Sequence, residues 1–380
     1  MSRPVILIAG GGTGGHVFPG VAVAEALQAL ADVEPVFCGT PRGVEARVVP
    51  ARGWRLELLD VEPMKGGGAA RAVRGAVVAA RATVKAVGLV RRTRPRAVLS
   101  VGGYAAGPVS LAAAVLGVPV ALLEPNSVVG LANRLLAPFA RRAYVAWDET
   151  ATGFRAGARR VYGVPLRAGF GPRPYAPRGT ARVLVLGGSQ GAAALNERMP
   201  EVAARLADIE GLEVVHQAGR DRDAAVRAAY EREGVQRVRV VSFIEDVAQA
   251  LADADVVVAR SGASSVAELT AVGRAAVLVP FPHAADDHQA RNAQALARLG
   301  GAVCVRQEAA DPTLLARELG ALLRDDVART AMASASRAYG KPGATHDVAT
   351  DLLALAGIPA RPRPKTNGSS RTAHHLEGAR

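Results

Sequence analysis

Residues 9–19, AGGGTGGHVFP, end a glycine cluster in a histidine just where a helical pattern begins. The apolar run at 5–8, VILI, comes directly before, so the order is strand, tight loop, helix. Backbone N–H groups in such a loop, at the positive end of a helix, can hold an anion. His16, at the mouth of the helix, is of the residue type suited to taking a proton near neutral pH. Helix capping or a phosphate contact is its other use. The pattern recurs at 184–196, LVLGGSQGAAALN, and again at 259–269, ARSGASSVAEL. In the last of these, Ser261-Gly262-Ala263 can offer N–H groups to a diphosphate. Glu268, a helical turn on, is placed to take both hydroxyls of a nucleotide ribose; an acid that merely favours a helix N-terminus is the plainer alternative. Residues 280–293, PFPHAADDHQARNA, add His283, Asp286, Asp287, His288, Gln289 and Asn292, donors and acceptors that suit sugar hydroxyls.

Other chemistries fit less well. Gly10, Gly12 and Gly15 match the dinucleotide fingerprint, but the next strand ends Phe37-Cys38-Gly39-Thr40, without the acid that would hold a ribose. The loop at 187–191 lacks the fingerprint, and its following strand ends Gln217-Ala218-Gly219. NAD or FAD is not expected, nor any other cofactor. The acids and histidines of 283–288 lack metal-ligand spacing. Asp253-Ala254-Asp255 forms a D-x-D, but it precedes the strand at 256–259. That places it in a loop at the amino edge of a sheet, the wrong end for a ligand.

The elements that must carry these loops alternate. Apolar runs at 5–8, 34–38, 55–59, 97–101, 119–123 and 143–146 are separated by helical stretches, including 19–30 and a basic helix after the Gly-rich loop 64–68. The pattern restarts at 183–186, 213–216, 238–241, 256–259 and 276–279, and a helical run lies near 344–355. Alternation of this kind gives α/β architecture with parallel sheets, whose ligands sit beyond the carboxyl ends of the strands. The loops 10–16, 102–104 and 124–126 should therefore converge. The Pro- and Gly-rich stretch 163–180 reads as a linker, and 361–380 as a disordered basic tail.

Composition supports this. The chain has 380 residues, 49% hydrophobic and only 4% aromatic, enough for two or three domains with sizeable cores. Its two cysteines, Cys38 and Cys304, rule out a disulfide framework and suit a reducing cytoplasm. No signal peptide is expected, because residues 5–8 run straight into the glycine loop. The apolar run 111–123 is too short to span a bilayer. Net charge is +13, and it is concentrated: residues 63–123 hold no acid but include Lys65, Arg71, Arg74, Arg81, Lys85, Arg91, Arg92, Arg94 and Arg96. The apolar residues between them are Val73, Val77, Val78, Val84, Val87 and Leu89. Without aromatics for base stacking, an anionic membrane surface fits better than nucleic acid. A solvated basic helix remains the alternative.

The strings GGTGGHVFPG, GGYAAGP, EPNSVVGLANRLLA, GGSQGAAALN, FIED, RSGASSVAE and DHQARNA, in this order and spacing, resemble the MurG family of peptidoglycan N-acetylglucosaminyltransferases. The resemblance covers residues 5–355. It implies a GT-B fold, with two Rossmann-like domains facing across a cleft: residues 1–163 for the acceptor and membrane, and 164–343 for the UDP-sugar. A C-terminal helix, 344–356, would return to the first domain, ahead of a disordered tail at 357–380. It also implies inverting, metal-independent transfer of N-acetylglucosamine from its UDP derivative to undecaprenyl-diphospho-muramoyl-pentapeptide. The setting would be peripheral, on the cytoplasmic face of the inner membrane, with other cell-wall synthesis proteins as further partners.

By that resemblance Thr13, Gly14 and Gly15 face the donor and the acceptor diphosphate, and His16 or Glu124 is the general base. Asn126 positions sugar and Arg167 reaches a phosphate. Ser189, the Ile244 backbone at the uracil, Ala263, Ser264 and Glu268 hold UDP, and Gln289 meets the N-acetylglucosamine. Two positions depart from the family pattern. Pro125 stands where the family usually has Gln, and Val164 where it usually has Asn. They leave open a related transferase with another acceptor, or a UDP-sugar-binding scaffold without turnover.

Overall fold

Continuous apolar runs, each followed by a helix that carries the chain back, can pair only in parallel, and both halves of the chain do so. The computed structural model describes residues 3–59, 61, 69–103, 105–177, 179, 181–188 and 191–361, with backbone alone for 69–80. The first sheet contains β1 (Val5–Gly10), β2 (Glu34–Gly39), β3 (Arg55–Leu58), β4 (Ala97–Gly102), β5 (Val120–Glu124), β6 (Arg142–Val145) and β7 (Arg159–Arg160). Their order is β3-β2-β1-β4-β5-β6-β7, every pair parallel. The second sheet contains β8 (Arg182–Leu186), β9 (Glu213–Gln217), β10 (Val238–Val241), β11 (Val256–Ala259), β12 (Ala275–Leu278) and β13 (Val303–Cys304). Their order is β10-β9-β8-β11-β12-β13, again parallel.

In each sheet the strand order reverses beside the first strand, at β1/β4 and at β8/β11. Loops leaving the two strands of such a switch point splay to opposite faces and open a crevice for ligand. The glycine loops found in the sequence occupy these two places.

Helices cover both faces of both sheets. Against the first sheet, Ile6 and Ile8 pack on Val17, Val21 and Leu27 of the helix Gly14–Leu30, while Leu7, Val98 and Leu122 meet the other face. The helix Ala344–Leu355, last of the described helices, lies in this core through Val348, Ala349, Leu352 and Leu353. Its Asp351 accepts hydrogen bonds from Arg142 Nε and Tyr144 Oη, both at 2.9 Å. The second sheet has the same two-faced core, for example Val183, Val185 and Val258 on one face and Leu184, Val257 and Leu278 on the other.

The strands expected from the sequence are present to within two residues at each end. Two elements differ. The helix expected at 19–30 starts at Gly14, with Pro19 buried inside it. Thr13 is its extended cap residue, and the Thr13 carbonyl accepts the N–H groups of His16 and Val17. His16 therefore stands in the first helical turn. The D-x-D was expected in a loop, but Asp253 is the last residue of the helix Val247–Asp253. Asp255, at the amino end of β11, is buried and accepts from Tyr175 Oη at 2.7 Å and from the Arg182 N–H at 2.8 Å. It is a structural anchor for the preceding segment. The Gly-rich loop 64–68, Tyr104, Ser189 and the tail from 362 lie outside the described residues.

Candidate functional site

Of the three loops expected to converge, those after β1 and β4 meet. The Gly11 N–H donates to the Gly102 carbonyl at 3.1 Å, joining the loop after β1 to the loop after β4. The His16 ring stands over Gly102: a Cβ there would lie 3.0 Å from the ring, and Gly102 also takes φ +89°. Only glycine leaves that room without strain. Burial, the largest influence, lowers the His16 pKa below its usual value. His288, across from it, also lowers it, while a hydrogen bond to the Gly11 backbone and the charge of Glu45 raise it. The imidazole is thus neutral at neutral pH, the form that can accept a proton. Thr13 Oγ1 lies 3.4 Å from His16 Nδ1, and Gly14 and Gly15 complete the same turn.

Glu124, the other candidate base, is 3% exposed, and each of its carboxylate oxygens accepts two hydrogen bonds. Its Oε1 accepts from the Asn126 N–H at 3.2 Å and Asn126 Nδ2 at 3.3 Å. Its Oε2 accepts from the Gly130 N–H and from Asn133 Nδ2, both at 2.9 Å. Burial raises its pKa, and these four bonds work against that rise. A carboxylate so fully engaged shapes the loop that presents Asn126.

On the donor side Ala263 and Ser264 open the helix Ala263–Val272, whose Gly262 cap makes no side-chain bond. Ser264 Oγ is buried without a hydrogen-bond partner among the described residues. An uncapped helix N-terminus with an unpaired hydroxyl is suited to an anionic oxygen. Glu268 lies farther along the same helix, and burial pushes its carboxyl up to about 7 against the opposing influence of Arg167. Arg167 Nη2 is 3.7 Å from Glu268 Oε1. Its guanidinium also sits 5.4 Å from the Phe18 ring centroid and 5.8 Å from that of Phe170. Since Phe18 belongs to the first half, Arg167 ties the linker to both sides of the cleft.

Several residues have roles that the sequence did not disclose. The Ile244 N–H donates to Gln217 Oε1 at 3.1 Å, and Gln217 Nε2 donates to the Gly188 carbonyl at 2.9 Å. Gln217 thereby joins the second glycine loop to the Ile244 backbone. Asn292, grouped with the sugar-binding amides by its sequence context, is fully buried. It accepts from the Ser127 N–H at 2.9 Å and donates to Asn126 Oδ1 at 3.3 Å and the Ser261 carbonyl at 3.2 Å. It is a cross-link between the two halves. Gln289 accepts from the Phe281 N–H at 3.0 Å, and its own carbonyl takes the Ser261 hydroxyl at 2.8 Å. Asp287 faces Arg306 at 2.8 Å. Among the described residues no three His, Cys, Asp or Glu side chains gather as a metal site would.

The two departures, Pro125 and Val164, meet. They line one small cavity of about 20 Å³ at the junction of the halves, with Trp147, Val266 and Tyr339 among the other walls. Trp147 and Tyr339 stack at 4.6 Å, and Tyr339 Oη donates to the Ala146 carbonyl at 2.8 Å. Both side chains are apolar and line the same cavity.

Two parallel-sheet halves, with a histidine-bearing loop in the first and an uncapped helix N-terminus in the second, have the GT-B architecture of glycosyltransferases. The chain matches the Glycosyltransferase family 28 N-terminal domain over residues 6–145 and the Glycosyltransferase family 28 C-terminal domain over 182–348. It is 55% identical to the UDP-N-acetylglucosamine--N-acetylmuramyl-(pentapeptide) pyrophosphoryl-undecaprenol N-acetylglucosamine transferase of Sorangium cellulosum, across 93% of this chain and 89% of that one. The enzyme of the same name from Acidithiobacillus ferrooxidans is 42% identical over 93% and 98% of the two chains. The crystal structure of Acinetobacter baumannii MurG superposes with a TM-score of 0.78 at 33% identity, covering 92% of this chain and 99% of that one. The chain belongs to the MurG family of N-acetylglucosaminyltransferases.

Proposed function

We propose that this chain transfers N-acetylglucosamine from UDP-N-acetylglucosamine to the muramoyl 4-hydroxyl of undecaprenyl-diphospho-muramoyl-pentapeptide, with inversion and without a metal. The neutral His16 ring, held over Gly102 at the mouth of the cleft, carries this reading. His16 takes the proton of the 4-hydroxyl as its oxygen attacks the anomeric carbon from the face opposite UDP. The carbon–oxygen bond to the diphosphate breaks and UDP leaves. The helix N-terminus at Ala263 and Ser264 stabilises the charge that develops on the leaving diphosphate, joined by Arg167 once it releases Glu268. Glu268 holds the ribose hydroxyls, the Ile244 backbone reads the uracil, and Gln289 meets the N-acetylglucosamine. Ser189 contributes from the second glycine loop. Thr13, Gly14, Gly15 and Asn126 place the acceptor, with Glu124 fixing Asn126.

Residues 1–163 act as the acceptor domain, 164–343 as the donor domain, and 344–356 as the helix that ties one to the other. The largely apolar cavity walls around Pro125 and Val164 favour a repacked junction over a changed acceptor site. No described helix is long and apolar enough to cross a membrane. Arg81, Val84, Lys85, Arg91 and Arg92 are exposed on the helix Ala69–Thr93, a stripe suited to the anionic inner leaflet, where the lipid-linked acceptor resides. The test is release of UDP from UDP-N-acetylglucosamine in EDTA, with and without the lipid-linked acceptor. Acceptor-dependent release is expected. Donor binding without release, with an acceptor competent for another enzyme of the family, overturns the reading.

A further inference from the structure

Glu45 is completely buried, in the first turn of the short helix Glu45–Val48, and belongs to none of the motifs found in the sequence. Its Oε2 accepts the Gly12 N–H at 2.7 Å. Its Oε1 accepts the Thr40 N–H at 2.8 Å and Thr40 Oγ1 at 3.0 Å. A buried carboxylate is strongly unfavourable unless bonded in this way. Its place is also sterically reserved. A Cβ on Gly11, Gly39 or Gly43 would fall within 2.4 Å of Glu45 side-chain atoms. Three glycines from separate segments leave room for one carboxyl group. The acid that β2 lacks at its end is thus supplied from the next helix, but both its oxygens are spent on the protein.

The connection to chemistry is short and continuous. Glu45 fixes the Gly12 amide, Gly11 is next to it, the Gly11 backbone bonds the His16 ring, and Gly102 bounds that ring from below. We infer that Glu45 is a positioning residue for the base: it locks the first glycine loop so that His16 meets the acceptor hydroxyl. It also commits the Gly12 N–H to an internal anion. A diphosphate placed at that amide would meet the buried Glu45 carboxylate. This rests on the transferase reading above and adds the residue that orients its base.

The titratable groups acting on His16 are Glu45, from the helix Glu45–Val48, and His288, from the helix His288–Arg298. Removing the Glu45 charge takes away an influence that favours the imidazolium, so the acid limb of the pH profile should move to lower pH. The experiment uses the full chain with UDP-N-acetylglucosamine and the lipid-linked acceptor. For Glu45→Gln, kcat is expected to fall about 10–100-fold, with the UDP-N-acetylglucosamine Kd unchanged and the acid limb moved down. Glu45→Asp, which keeps the charge with a shorter reach, should restore the acid limb without restoring the full rate. A folded Glu45→Gln variant with wild-type kcat and an unmoved limb overturns the inference. Should Glu45→Gln fail to fold, Thr40→Val removes one of the three donors: a several-fold loss in kcat at constant donor Kd supports the inference, and unchanged kcat overturns it. Wild-type protein without acceptor-dependent turnover would instead overturn the transferase reading, so the two failures are distinct.

Discussion

The two halves repeat one architecture and use its switch points differently. At β1/β4 the loop is turned inward: the Gly12 amide is bound by the Glu45 carboxylate, and the Gly11 amide by the Gly102 carbonyl. The helices Gly14–Leu30 and Ala263–Val272 both begin without a side-chain cap, but at β8/β11 the buried Ser264 Oγ also has no partner among the described residues. The first loop spends two of its amides inside the protein, whereas the second junction keeps a buried hydroxyl unpaired. A glycine-rich turn before a helix is therefore not in itself a phosphate site. What decides is whether the protein has already supplied the anion.

This contrast can be broken at defined positions. A large effect is expected for Glu268→Gln, which should weaken UDP-N-acetylglucosamine binding about 100-fold by titration calorimetry, with the histidine loop untouched. The same variant should gain stability at alkaline pH. Glu268 has a folded pKa of about 7 against its usual 4.5, so between those values the native state holds a proton that the unfolded chain has released. Stability from this group therefore falls as pH rises through that window, and the melting temperature of wild type should drop relative to Glu268→Gln. A variant that binds UDP-N-acetylglucosamine normally would remove Glu268 from the donor site.

Gly102→Ala acts on the other half. Its Cβ would press on the His16 ring from a position at φ +89°, so kcat should fall about tenfold or more while donor Kd stays constant. Equal losses in both would mean that the two loops are not separable. The smallest effect is expected on the outer surface: neutralising Arg81, Lys85 or Arg91 singly to Gln should cost about 1 kcal/mol of affinity for anionic vesicles, with little change in donor binding.

Most of the fold is legible in the sequence because fully buried parallel strands read as unbroken apolar runs, and their connecting helices keep them apart. The two-residue edge strand Arg159–Arg160 carries no such run, and Val303–Cys304 lies in a run of only four residues, 302–305. The start of the helix Gly14–Leu30 is hidden because Gly14 and Gly15 look like loop and Pro19 looks like a first residue. Of the site, the loops and Glu268 are legible from local pattern. The role of Glu45 is not, because only the fold brings the distant Gly11 and Gly12 against its carboxyl group. Asn292 was legible as an amide near the cleft, but not as a buried tie to Asn126 and Ser127. Its partners lie in the other half of the chain.

The most direct measurement is the turnover of His16→Ala with the lipid-linked acceptor, read beside the Kd for UDP-N-acetylglucosamine in the same preparation. If the first half holds the base and the second holds the donor, kcat falls about 10²–10⁴-fold and Kd stays at the wild-type value. A variant that keeps its turnover, or loses donor binding in proportion to rate, would contradict that division of labour.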